Sequence, residues 1–155
     1  MSKNLPRIEN VKALKPFVLR VKFAGGKEFE VDLAGFLREY EFFAPLLDSP
    51  DLFSKASVGE WGWDVVWPEV GVDGDEIDIS ASTLWRLALE QAGEAMPRDE
   101  FRAWRARHGL SLTGAAETLG VSRRMIAYYD SGERLIPKTV MLACKGVEAA
   151  QQRQA

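Results

Sequence analysis

The stretch LTGAAETLGVSRRMIAYYDSG, residues 112–132, leaves the fewest choices of fold. It reads as two helices around a turn. Ala115, Ala116 and Leu119 share one face of the first helix, Ile126 and Tyr129 share one face of the second, and Val121 fills the corner between them. Ala116 is small where two steeply crossing helices must approach closely, and Gly120 can take the backbone angles that a tight turn demands. With that apolar face buried, Arg123, Arg124 and Tyr128 point the other way, along the N-terminal half of the second helix, and Ser122 is placed to cap it. An Arg-Arg pair taken alone is only a solvated edge, since charged residues normally sit outside. The turn pattern is what gives the pair a defined orientation.

Around this core the whole C-terminal part has helical spacing. Candidate helices run over 98–107, 111–119, 122–131 and from Pro137 to about residue 150, with His108-Gly109, Gly120-Val121 and residues 132–136 between them. Short connectors between short helices imply an all-α bundle. The N-terminal part follows another period. Phe17, Leu19, Val21 and Phe23, then Phe29, Val31 and Leu33, recur at every second position and flank Ala24-Gly25-Gly26-Lys27, so an antiparallel hairpin is expected. Its wet face carries Arg20, Lys22, Glu28, Glu30 and Asp32. Residues 34–60 read as short helices and loops, Trp61 to Trp67 as a further strand closed by Pro68, and DEIDIS as a shorter strand or a turn. Residues 80–91 form a helix with serines available as N-caps. The fold class expected is α+β: a small N-terminal domain with antiparallel sheet over residues 1–92, followed by a helical bundle over 98–150.

Charge changes sign at the same place. Residues 1–95 hold 10 Lys+Arg and 17 Asp+Glu, a balance of 10 − 17 = −7, whereas residues 96–155 hold 10 and 6, a balance of 10 − 6 = +4. The overall charge of −3 therefore conceals a basic helical part with a different choice of partners.

Several classes of chemistry find little support. Cys144 is the only cysteine, so neither an intrachain disulfide nor a cysteine zinc site can be built, which fits the cytoplasm. No segment approaches the roughly 20 apolar residues of a membrane helix. His108, the only histidine, precedes a glycine at a helix end, where capping or exposure is expected, and Cys144 should pack in its helix. The acidic series Asp73, Asp75, Glu76 and Asp78 lacks the pattern of a calcium loop and reads as a solvated turn. Trp61, Trp63 and Trp67 suit a core or dimer interface better than an exposed platform. No metal, cofactor or enzymatic activity is expected, and no membrane association.

The helical part resembles the Cro and phage-repressor type of helix-turn-helix, also called the xenobiotic-response-element family. The matching residues are Gly109-Leu110-Ser111, Ala116, Leu119-Gly120-Val121-Ser122-Arg123, Ile126, Tyr129-Asp130-Ser131-Gly132 and Pro137. The resemblance implies sequence-specific binding of double-stranded DNA in the major groove, as a homodimer on a two-fold symmetric site. It places Arg123, Arg124 and Tyr128 at base-reading positions and Ser122 near a phosphate, with Tyr128 equally able to pack on its neighbour. Two departures stand out. Leu112 occupies the place of a phosphate-binding glutamine, and Gly114 weakens its helix by about 1 kcal/mol relative to alanine.

Val18 to Phe23, Val31-Asp32-Leu33, Trp67-Pro68, Asp78-Ile79-Ser80 and Thr83-Leu84-Trp85 resemble the uncharacterised domain family numbered 2442. That likeness implies a small α+β domain and, because some members occur in toxin-antitoxin-like pairs, an interaction role. The expected function is a DNA-binding transcriptional regulator whose residues 1–92 dimerise, sense or bind a partner. The alternative is a protein-interaction module, such as an antitoxin-like partner binder, with weak or no DNA binding.

Overall fold

Three antiparallel strands begin the fold: β1 (Ile8–Lys15), β2 (Val18–Phe23) and β3 (Glu28–Asp32), in the order β1-β2-β3. In this computed structural model, which describes residues 5–68 and 75–154, the chain divides into two units, Met1–Ala88 and Leu89–Ala155. The class is α+β.

The hairpin forms where period-two spacing and the glycine turn place it. Gly25 and Gly26 take φ of 98° and 96°, and Leu19, Val21 and Val31 on the inner face are fully buried. On the outer face Arg20 lies opposite Glu30 and Lys22 opposite Glu28, and the Arg20 guanidinium reaches both Glu28 (3.4 Å) and Glu30 (3.2 Å). Such exposed pairs contribute at most about 1 kcal/mol each. Most of the stabilisation comes from the buried face.

Short helical turns follow: α1 (Ala34–Arg38), a 3-10 turn at Glu41–Phe43, α2 (Ala44–Asp48) and α3 (Pro50–Phe53). A second antiparallel sheet pairs β4 (Ser57–Val58), β5 (Asp64–Trp67) and β6 (Ile77–Ser80). Trp67 is completely buried, and its indole N–H donates to the Phe53 carbonyl at 2.9 Å. The tryptophans thus divide. Contrary to the expected strand from Trp61, the residues Trp61 (φ 59°) and Gly62 (φ 77°) both adopt left-handed backbone, which no strand can contain, and the strand starts at Asp64. Trp61 is 74% exposed and Trp63 41%, so only Trp67 of the three is core.

Helix α4 (Ala81–Gln91) begins at Ser80, whose hydroxyl accepts the Thr83 N–H at 3.1 Å, and the division between the units falls within it. The second unit holds α5 (Arg98–Arg107), α6 (Leu112–Leu119), α7 (Arg123–Ser131) and α8 (Lys138–Gln154). It is not wholly helical as expected. β7 (Ala95–Met96) pairs antiparallel with β8 (Ile136–Pro137), a bridge too short to leave a periodic signal. Among the described residues no helix is long and apolar enough to cross a membrane.

The core of this unit is built on Phe101 and Trp104, stacked with centroids 5.8 Å apart, with Ala115, Ala116, Ile126, Tyr129, Ile136, Val140 and Cys144 around them. The Trp104 indole N–H donates to the Cys144 carbonyl at 3.2 Å. Burial, followed by the nearby Glu148 charge, pushes the Cys144 thiol up to about 11, so it stays protonated at neutral pH. A thiol reagent should therefore modify Cys144 only as fast as the helical unit opens, and rapid labelling of native protein at pH 7.5 would contradict this packing.

Candidate nucleic-acid interface

Helix α6 starts at Ser111, whose hydroxyl accepts the Gly114 N–H at 3.0 Å, and ends at Gly120 in left-handed conformation (φ 72°). Both Gly120 and Val121 donate their N–H to the Ala116 carbonyl, at 2.9 and 3.1 Å, which closes the helix and turns the chain. Nothing lies within 4 Å of a Cβ built on Gly120, so its requirement is one of backbone angle alone. Gly120→Ala should cost about 1 kcal/mol in urea unfolding and Gly120→Asn less, because asparagine tolerates this region better. Equal stability of Gly120→Ala and wild type would contradict a left-handed requirement at this turn.

Helix α7 is capped by Ser122, whose hydroxyl oxygen accepts the Met125 N–H at 3.1 Å. The backbone N–H groups of Arg123 and Arg124, in the first turn, have no intrahelical acceptor. Ala115 and Ile126 are fully buried, Ala116 and Tyr129 nearly so, and Leu119 and Val121 pack against the same core. Leu112 also packs there. Burial of the Tyr129 phenol raises its pKa, partly offset by the nearby Arg134 charge.

Asp130 fixes the far end of α7. Its Oδ1 accepts Arg105 Nη2–H at 2.7 Å and Nε–H at 3.1 Å, while Arg102 Nε–H donates to the Asp130 carbonyl at 2.8 Å. Arg98 adds a longer bond to the Ser131 carbonyl at 3.4 Å. Three arginines of α5 thus meet the helix end where the macrodipole is negative. Their charge is spent inside the unit. Arg107 pairs with Glu148, holding that carboxyl below its usual range, and Lys138 pairs with Glu94.

In the helical unit Arg123, Arg124, Arg134, Lys145 and Arg153 have no carboxylate partner among the described residues, and the first three gather on α7 and the loop after it. Arg124 Nε–H donates to the Tyr128 hydroxyl at 2.8 Å. The Arg124 and Arg134 guanidinium carbons lie 5.5 and 5.0 Å from the Tyr128 ring centre, and Arg134 N–H donates to the Tyr128 carbonyl at 3.3 Å. Tyr128 is half-buried between two arginines, whereas Ser122, Arg123 and Arg124 are exposed. The hydroxyl of Tyr128 accepts from Arg124 and keeps its own proton free to donate. Sequence reading missed Arg134, which is three residues past the helix and brought back only by its bond to Tyr128.

Other candidates separate from this site. His108 stands at the C-cap of α5, one of the two places expected for it, and its imidazole is covered and not exposed. It lies against Trp104, with ring centroids 5.4 Å apart and planes tilted by 52°, and has Nδ1 2.7 Å from Gln151 Oε1 and Nε2 3.5 Å from Glu148, because α8 runs long enough to cover it. Asp75, Glu76 and Asp78 are exposed, Asp73 lies outside the described residues, and among the described residues no group of acidic, histidine or cysteine side chains is arranged to hold a metal.

The sequence profile of the family described as "Protein of unknown function (DUF2442)" matches residues 8–90, which leaves α5 to α8 outside it. Among solved structures, the chain is similar to a crystal structure described as "Putative DNA Binding Protein NE0471 from Nitrosomonas europaea". The likeness is 39% in identity and 0.52 in TM-score, over 97% of this chain and 92% of that one. A search of the curated proteins gives no match.

Proposed function

We propose that this chain, which belongs to the DUF2442 family of proteins of unknown function, is a sequence-specific DNA-binding protein that inserts α7 into the major groove. The observation that carries the reading is the partition of charge in the helical unit: Arg102 and Arg105 of α5 are consumed in holding α7, while Arg123, Arg124 and Arg134 stand without carboxylate partners among the described residues. Arg123 and Arg124 are the base readers, since a guanidinium fork matches the two acceptors of guanine. Ser122 and the free N–H groups of the first turn of α7 lie where a phosphate would sit. Tyr128 braces the arginines and offers its hydroxyl proton. The similarity over nearly its whole length to a protein described as putatively DNA-binding supports the same reading.

In this proposal the chain acts in the cytoplasm as a transcriptional regulator, without catalysis, and two copies occupy a two-fold symmetric site. The exposed Trp61, Tyr40 and Phe42 of the first unit favour a second reading of that unit, as a surface that binds protein. A stoichiometric protein partner that is retained after residues 96–155 are removed, with no DNA preference in the full chain, would replace the first reading by the second.

Salt titration tests the proposal directly. Neutralising even two phosphates gives a log–log slope of about −1.8, roughly a tenfold loss of affinity for a fourfold rise in salt. Arg134→Ala should make that slope shallower by about 0.9 per lost phosphate contact and keep the order of preferred sequences. Binding insensitive to salt would contradict the proposal.

A further inference from the structure

The first unit contains a groove of about 540 Å³, lined by Leu5, Pro6, Arg7, Phe23, Trp63 and Trp85 among others, whose chemistry the DNA-binding reading leaves unused. Its size suits a small molecule of one or two rings. Its aromatic wall is preorganised. Phe23 and Phe29 meet the Trp85 ring edge-on, with centroids 5.0 and 5.9 Å away, and so fix that indole in place. The other indole, Trp63, lies under the Arg7 guanidinium, whose central carbon is 4.2 Å from the ring centre. Arg7 is itself anchored through its carbonyl, which accepts the Ala24 N–H at 2.8 Å.

A stacked guanidinium has one face covered, but its N–H donors point outward in the plane and keep the fork that matches a carboxylate. Lys27 adds a second positive charge, with Nζ 5.8 Å from the Trp85 ring centre. Among the described residues neither Arg7 nor Lys27 has a carboxylate partner. A neutral apolar ligand would cover Arg7 and leave its donors unpaired, which costs free energy. A compact inorganic anion would leave the accessible parts of Trp63 and Trp85 wet.

We propose that this groove binds a small aromatic carboxylate, with the carboxylate on the Arg7 fork and the ring between Trp63 and Trp85. This proposal is independent of the DNA-binding one, because its residues and its readout lie in the first unit.

The test is titration of the full-length, nitrogen-15-labelled protein with 2-naphthoate, following the indole N–H signals. Saturable shifts of Trp63 and Trp85 are expected, with the buried Trp67 and Trp104 signals unmoved. 2-Naphthamide, which has the ring but no charge, should bind at least tenfold more weakly. Arg7→Gln should weaken 2-naphthoate at least tenfold with the Trp67 signal in place as evidence of an intact fold, and Arg7→Lys should fall between the two. No saturable shift at Trp63 and Trp85, equal binding of acid and amide, or unchanged binding by Arg7→Gln would each overturn the assignment.

Discussion

Replacing Arg123 and Arg124 together by alanine is expected to abolish sequence preference while leaving the protein folded. Both side chains are exposed, and substitutions at such positions usually change stability by no more than about 0.5 kcal/mol. Each bidentate contact with a base contributes about 1 to 3 kcal/mol of discrimination, so losing two should cut the preference for a selected duplex over a scrambled one by on the order of a hundredfold or more. Residual binding should persist through Arg134 and backbone groups, but without sequence order. The comparison needs only the two proteins, the two duplexes and one salt concentration. Unchanged preference in the double variant would remove α7 from the recognition surface.

The second large effect concerns folding. Gly62→Ala should destabilise the first unit by about 3 kcal/mol or more, because two costs fall on one residue. Gly62 has φ of 77°, and a Cβ there would press into the Ile8 carbonyl oxygen and lie 3.1 Å from the Ile8 nitrogen. Those are backbone atoms of β1, so relief requires moving a strand. Gly25→Ala supplies the control: its φ is 98° but nothing lies within 4 Å, and only the backbone cost of about 1 kcal/mol is expected. Urea unfolding of both variants measures the difference, and equal losses would mean that β1 yields freely at Ile8.

These two residues mark what the sequence could and could not disclose. The β2–β3 hairpin and the α6–α7 turn were legible because each combines an apolar period with a glycine at the place where φ must be positive. Gly62 was not, since its constraint comes from a strand more than fifty positions earlier. β1 carries little signal for a related reason: register shifts between Ile8 and Asn10 and between Ala13 and Lys15 break its alternation, and Ile8 alone of its residues is buried. The tryptophan run misled in the opposite direction, because the spacing of Trp61, Trp63 and Trp67 imitates a strand while the backbone at Trp61 and Gly62 turns left-handed.

At the candidate site, composition pointed to a basic half but could not say which charges were available. The sequence RDEFRAWRAR of α5 carries four arginines, and its clearest function is internal, since Arg102 and Arg105 hold Asp130 and Arg107 holds Glu148. Arg134 lacked any helical register to reveal it. The place of Tyr128 between two guanidinium groups likewise depends on the loop after α7 returning to the helix, and not on the spacing within α7.

Selection from a pool of random DNA duplexes at low salt, using the full-length protein, is the decisive measurement of sequence-specific binding by α7. Enrichment of one sequence pattern, arranged as two related half-sites, is expected, and the Arg123→Ala, Arg124→Ala protein should fail to enrich it. A pool that stays random after repeated rounds with folded wild-type protein would contradict such binding.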